Sequence, residues 1–126
     1  MSWISRSQIE ELHSYLLNEH GGLAGIRDAG LLESAISTPL ASFGGKYLYP
    51  SIVESAARLG FGLVSNHPFN DGNKRVGVMA MLVVLESNGY AISASNDEVI
   101  ALGLGLADGT LSYDDTLEWV NRHTKD

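Results

Sequence analysis

The chain has 126 residues, an apolar share of 44% and a net charge of −7 at pH 7. That length fits one domain burying roughly two-thirds of its unfolded surface, and the apolar content excludes a disordered chain. The acidic balance argues against a general nucleic-acid binder, and the absence of cysteine excludes disulfide and thiolate chemistry.

The N-terminal stretch MSWISRSQIEELHSYLL lacks a basic region followed by an unbroken apolar run, so no signal peptide is expected. Ser5 with Gln8 forms a capping box, and Ile4 with Ile9 a hydrophobic staple, at the start of a first helix. Ile9, Leu12 and Leu16 recur at helical spacing until Gly21-Gly22 ends the element. Glu10-Glu11 are expected in its first turn, His13 on its solvated face and His20 at its terminus. Asp28 caps a second helix carrying Leu31, Leu32, Ala35 and Ile36, which stops before Pro39. Leu40 to Tyr49, LASFGGKYLY, sets two glycines between aromatics, as a loop or small hairpin would.

Pro50 suits the first turn of a third helix, whose buried face is Ile52, Val53, Ala56, Ala57, Gly60, Leu63 and Val64. After a loop, a fourth helix runs from about Asn73 to Asn88, with Gly89 as its stop. Its apolar run, Val76 to Leu85, is well short of the ~20 residues a membrane span needs, so it is a core helix. Ser95 with Glu98 opens a further helix through Val99, Ile100, Leu102 and Leu106. Ser112 begins the last one, through Tyr113, Leu117 and Val120, with Asp114-Asp115 in its first turn and His123 on a solvated face. The expectation is an all-α single domain, residues 1–126, with at most one small hairpin, in a soluble cytoplasmic protein.

The chemistry concentrates in HPFNDGNKR, His67 to Arg75, directly ahead of the apolar fourth helix. A helix N-terminus presents unpaired N–H groups and a positive dipole end, which together hold phosphate. Gly72 lets the backbone approach a ligand, while Lys74 and Arg75 add a point charge and a planar fork. Asp71 is the natural Mg²⁺ ligand, since that ion takes one or two carboxylates plus phosphate oxygens. Asn73 is placed to donate to a phosphate oxygen. His67, with an ordinary pKa near 6.5, suits a general base toward an attacking hydroxyl. Phe69 points into the core and fixes the loop. Taken one at a time, these residues would make a surface turn; together at a helix entrance they fit phosphoryl transfer.

HPFNDGNKR resembles the signature of the Fic/Doc superfamily, H-P-F-x-[D/E]-G-N-[G/K]-R, and GGLAGIRDAGLLESAI and LESNGY extend the likeness along nearly the whole chain. Within that superfamily the resemblance is to the Doc (death on curing) toxins of Phd–Doc toxin–antitoxin systems. It implies a Fic fold, a compact bundle of about six helices around a central buried helix. It also implies His67 as general base, Asp71 on Mg²⁺, Gly72 and Asn73 shaping an anion hole, and Arg75 on nucleotide phosphates. Lys74 stands where AMP-transferring Fic enzymes generally have Gly, and the resemblance then implies an ATP-dependent protein kinase moving the γ-phosphoryl group. Gly72 is the Fic-like choice, Ala being common there in Doc-like motifs, so nucleotidyl transfer (AMPylation) stays open as the alternative.

The inhibitory pattern [S/T]-x-x-x-E-[G/N] of many Fic proteins is absent, Ser7 and Glu11 being followed by Leu12. The resemblance therefore implies silencing in trans by a Phd-like antitoxin segment that folds as a helix in a groove. It implies elongation factor Tu as target, and makes Phe43, Gly44, Gly45, Lys46 and Tyr47 a flap that aligns the target by strand addition. A module that only binds its antitoxin is a third reading, which the intact His67, Asp71, Asn73 and Arg75 oppose.

Overall fold

In the computed structural model, residues 1–125 are described. Six α-helices follow one another: α1 (Arg6–His20), α2 (Ala29–Ser37), α3 (Ile52–Asn66), α4 (Asn73–Ser87), α5 (Asn96–Ala107) and α6 (Tyr113–His123). Two short antiparallel ladders accompany them. One pairs β1 (Ser42–Phe43) with β2 (Lys46–Tyr47), and the other pairs β3 (Ala91–Ile92) with β4 (Thr124–Lys125). The architecture is the all-α bundle expected, with the hairpin at its predicted place. The β3–β4 ladder, which ties the end of α6 back beside α4, has no signal in the sequence because two-residue strands carry no alternation.

The helices start where their capping residues dictate. Ser5, Asp28, Ser51, Ser95 and Ser112 each accept a hydrogen bond from the backbone N–H three residues on. Ser5–Gln8, Ser95–Glu98 and Ser112–Asp115 are reciprocal capping boxes. Two expectations are corrected here. Ser51 rather than Pro50 sets the start of α3, so Pro50 lies outside the helix. Glu10-Glu11 fall in the second turn of α1, where Glu10 pairs with Arg6 at 3.4 Å.

The buried centre is α4. Val76, Gly77, Val78, Ala80, Met81, Val84 and Leu85 are all buried and take up more than half of the helix circumference, with Val83 and Glu86 exposed on the remaining side. So wide an apolar face needs cover from several elements. Here α3 packs most extensively against it, with α1, α5 and β3 also in contact, while α2 and α6 lie on α3. The α3–α4 contact is close because Gly60 faces Gly77; a Cβ at Gly77 would sit 2.6 Å from Val64 Cγ2. No helix of the described residues is long and apolar enough to cross a membrane. The consequence for the site is mechanical: the N-terminus of α4 is fixed by the rest of the core.

Candidate active site

His67 to Gly72 form the loop that joins α3 to α4. Its interior anchor is Phe69, which is 1% exposed, makes an isolated bridge with Ile26, and stacks on the His13 ring at 3.8 Å and 11°. Burying a phenylalanine this fully stabilises the fold by about 1.5–3 kcal/mol. The expectation that Phe69 points into the core matches its place.

Asn73 differs from its expected role. Its side chain is buried; Oδ1 accepts from Phe69 N at 2.9 Å and Nδ2 donates to Phe69 O at 3.0 Å. Both polar ends of the amide are thus spent on one loop residue. A buried side chain bonded at both ends to one loop residue clamps the loop, with a single Nδ2 hydrogen outside the two bonds. Its backbone N–H stands at the helix end, where an anion would meet it first.

Asp71 is exposed, and its carboxylate is held from two sides: Leu23 N donates to Oδ2 at 3.2 Å and Gly72 N to Oδ1 at 2.9 Å. Those N–H groups, then the charges of Arg75 and His13, hold the Asp71 carboxyl below its ordinary value, so it is ionised at neutral pH. The Leu23 contact requires the Gly22 backbone close by: a Cβ at Gly22, whose φ is 124°, would meet Asp71 Oδ2 at 2.7 Å.

Gly72, at φ 79°, is the N-cap of α4, and no side chain caps this helix. The other five helices are all capped by Ser or Asp. The N–H groups of Asn73, Lys74 and Arg75 therefore stand at an open, positive helix end, with the Lys74 and Arg75 side chains exposed beside them. His67 sits at the opposite end of the loop as the exposed C-cap of α3. The segment thus carries an imidazole at its α3 end and an ionised carboxylate and two cations at its α4 end.

Among the described residues, no three His, Asp or Glu side chains converge to hold an ion. Asp71 alone fits a cation of the kind that keeps several waters and takes phosphate oxygens as further ligands. The candidate flap residues are not joined to this loop by any hydrogen bond. Phe43 and Tyr47 lie exposed on the β1–β2 hairpin, with Gly44-Gly45 at its tip and register Phe43↔Lys46. Its base is pinned by Ser55, whose hydroxyl faces Pro39 O and Tyr49 O at 3.3 and 2.9 Å.

Two residues near the loop escape the sequence reading. His13 is only 4% exposed, not solvated, and its Nε2 lies 2.7 Å from Asp71 O. A carbonyl only accepts, so Nε2 carries the proton. The signal was present: His13 falls four residues after Ile9 and three before Leu16, on the apolar face. Arg27 gives no such hint, yet its Nε donates to His67 O at 2.6 Å and its Nη2 to Asn66 O at 3.0 Å. His123 is likewise corrected. It stacks on Trp119 and sits 2.7 Å from Trp119 O and 2.6 Å from Glu98 Oε2, in a contact between α5 and α6 away from the loop.

Residues 3–85 match the Fic/DOC family profile. A protein named Toxin Doc from Mycolicibacterium smegmatis is 39% identical over 77 residues, covering 61% of this chain and 59% of that protein. A protein named Protein kinase doc from Escherichia phage P1 is 30% identical over 122 residues, covering 97% and 95% respectively. The family match spans the loop and the helix behind it, and the second alignment nearly the whole chain. The chain belongs to the Fic/DOC family.

Proposed function

We propose that the chain is a Doc-like toxin, a cytoplasmic protein kinase that transfers the γ-phosphoryl group of ATP to a Ser or Thr hydroxyl of a bacterial protein. The observation that carries this reading is the α4 N-terminus, which alone among the six α-helices has no side-chain cap and follows Asp71 directly, with Lys74 and Arg75 in its first turn. The names of the two relatives, Toxin Doc and Protein kinase doc, support the same direction.

In this mechanism the backbone N–H groups of Asn73, Lys74 and Arg75 hold phosphate oxygens, and the Arg75 fork adds a charge-assisted contact. Lys74 occupies the rear of the anion hole and favours a nucleotide lying with its γ-phosphate at the reactive end. His67, neutral, takes the proton of the target hydroxyl as its oxygen bonds to the γ-phosphorus; the bond to the β,γ-bridging oxygen breaks and ADP leaves. Base assistance of this kind is worth roughly 10²–10⁴ in rate. Mg²⁺, held by Asp71 and the nucleotide, would supply charge neutralisation of the phosphates.

Elongation factor Tu is the proposed target, aligned by the exposed hairpin at Phe43–Tyr47, and a Phd-like antitoxin the proposed partner. Gly72 favours a second reading, nucleotidyl transfer, because it is the Fic-like residue at a position where Doc-like motifs often carry Ala. ATP labelled on the α- or the γ-phosphate, incubated with the protein and purified elongation factor Tu or a bacterial lysate, separates them. The kinase reading requires γ-label to move and His67→Ala to stop it. Transfer of α-label would overturn it in favour of the second reading, and no transfer of either would leave a module that only binds.

A further inference from the structure

His67 is the one non-glycine residue among those described with a positive φ, at φ 52° and ψ 54°. That left-handed conformation is costly for a residue with a Cβ, and the proline that follows restricts it further. Such geometry persists only where the surroundings over-determine it. Here the determination comes largely from one residue. Arg27 Nε donates to His67 O at 2.6 Å, Arg27 Nη2 to Asn66 O at 3.0 Å, and Arg27 N to Pro68 O at 2.7 Å. Asp28 N adds a second bond to Pro68 O at 3.0 Å.

Three consecutive carbonyls thus end on Arg27. Those of Asn66 and His67 leave the C-terminus of α3, where a helix has no partners of its own to offer. The planar guanidinium fork spans two neighbouring carbonyls, which the point charge of a lysine does not reproduce. We infer that Arg27 is a positioning residue for His67, holding the strained backbone that sets the direction from which the imidazole meets the loop. Its consequence for rate rests on the reading of His67 as general base; its consequence for the backbone does not.

The test has one arm for each. In thermal melting, His67→Gly relieves the left-handed cost and raises Tm by about 3–5 °C in the otherwise unaltered chain. In an Arg27→Ala background the loop relaxes, and the same change gains less than about 1 °C. Equal gains in both backgrounds would overturn the inference. In γ-label transfer from ATP, Arg27→Ala lowers the rate about 10–100-fold while ATP affinity stays within about twofold. Arg27→Lys recovers little of that loss, and adding Arg27→Ala to His67→Ala changes nothing more. An unchanged rate, or a loss that is entirely one of ATP affinity, would overturn the positioning role. Should the unaltered protein transfer no label, the transfer reading fails, and the melting cycle still decides on Arg27.

Discussion

Replacing Asn73 by alanine strips the loop of its internal clamp. The buried amide satisfies Phe69 N at 2.9 Å and Phe69 O at 3.0 Å, and both groups lie inside the protein. Alanine leaves one donor and one acceptor stranded, each at about 1–3 kcal/mol, so the loss is about 2–6 kcal/mol. That is a large part of the ~5–15 kcal/mol that holds a domain together. With a urea slope of about 1.5–2 kcal/mol/M, the midpoint falls by about 1–4 M. The assay is urea denaturation followed by circular dichroism, in protein free of nucleotide. Asn73→Asp should lose at least as much, because a carboxylate oxygen then faces Phe69 O in the interior. A midpoint within about 0.3 M of the unaltered protein would refute the clamp. If the same variant instead lost only nucleotide affinity, Asn73 would return to the role of phosphate donor.

Gly77→Ala forces a Cβ to 2.6 Å from Val64 Cγ2 and 3.2 Å from Gly60 O, so overpacking should cost about 1–3 kcal/mol and lower Tm by about 3–10 °C. An unchanged melting curve would mean that the α3–α4 contact can open without cost. His13→Phe keeps a ring against Phe69 but removes the donor to Asp71 O, for an expected loss of about 1 kcal/mol; His13→Ala should lose clearly more in the same melt. Equal losses in the two would place the contribution of His13 in the hydrogen bond alone.

A pH dependence follows from the contact between α5 and α6. Both ring nitrogens of His123 face acceptors, so only the imidazolium satisfies both; the Glu98 carboxylate and then the Trp119 carbonyl raise its pKa. Glu98 is held down at about 2, first by the Ser95 N–H and then by His123. The raised imidazole contributes fully below its ordinary 6.5 and loses that contribution as pH climbs through the folded value. The depressed carboxyl contributes above its ordinary 4.5 and loses its share as pH falls toward 2. The Tm gap between the unaltered protein and His123→Gln should therefore be widest between pH 4.5 and 6.5 and narrow toward pH 9. A gap independent of pH would contradict the ion pair.

Local signals carried most of the fold. Ser5, Asp28, Ser95 and Ser112 placed four helix starts because a capping side chain acts within three residues of itself. Pro50 misled by two residues because Ser51, next to it, is the cap and the helix begins at Ile52. The motif loop was legible as a loop, and its cations and carboxylate lie at the helix end that the residue order implies. What stayed hidden depends on distant pairing. Asn73 spends its amide on Phe69 only once the loop has folded back, and Arg27 reaches His67 across 40 residues of sequence. His13 lay within reach, since its apolar spacing marks an inward face; a polar residue there needs a polar partner, which Asp71 O provides.

The central claim, that the open end of α4 holds nucleotide phosphates, is tested most directly by amide chemical shifts. ATP with Mg²⁺ is titrated into ¹⁵N-labelled protein, and the backbone N–H signals are followed. The largest shifts should fall on Asn73, Lys74 and Arg75, and should be lost when Arg75 is replaced by Ala. Shifts concentrated elsewhere, or none at saturating ATP, would contradict the phosphate site.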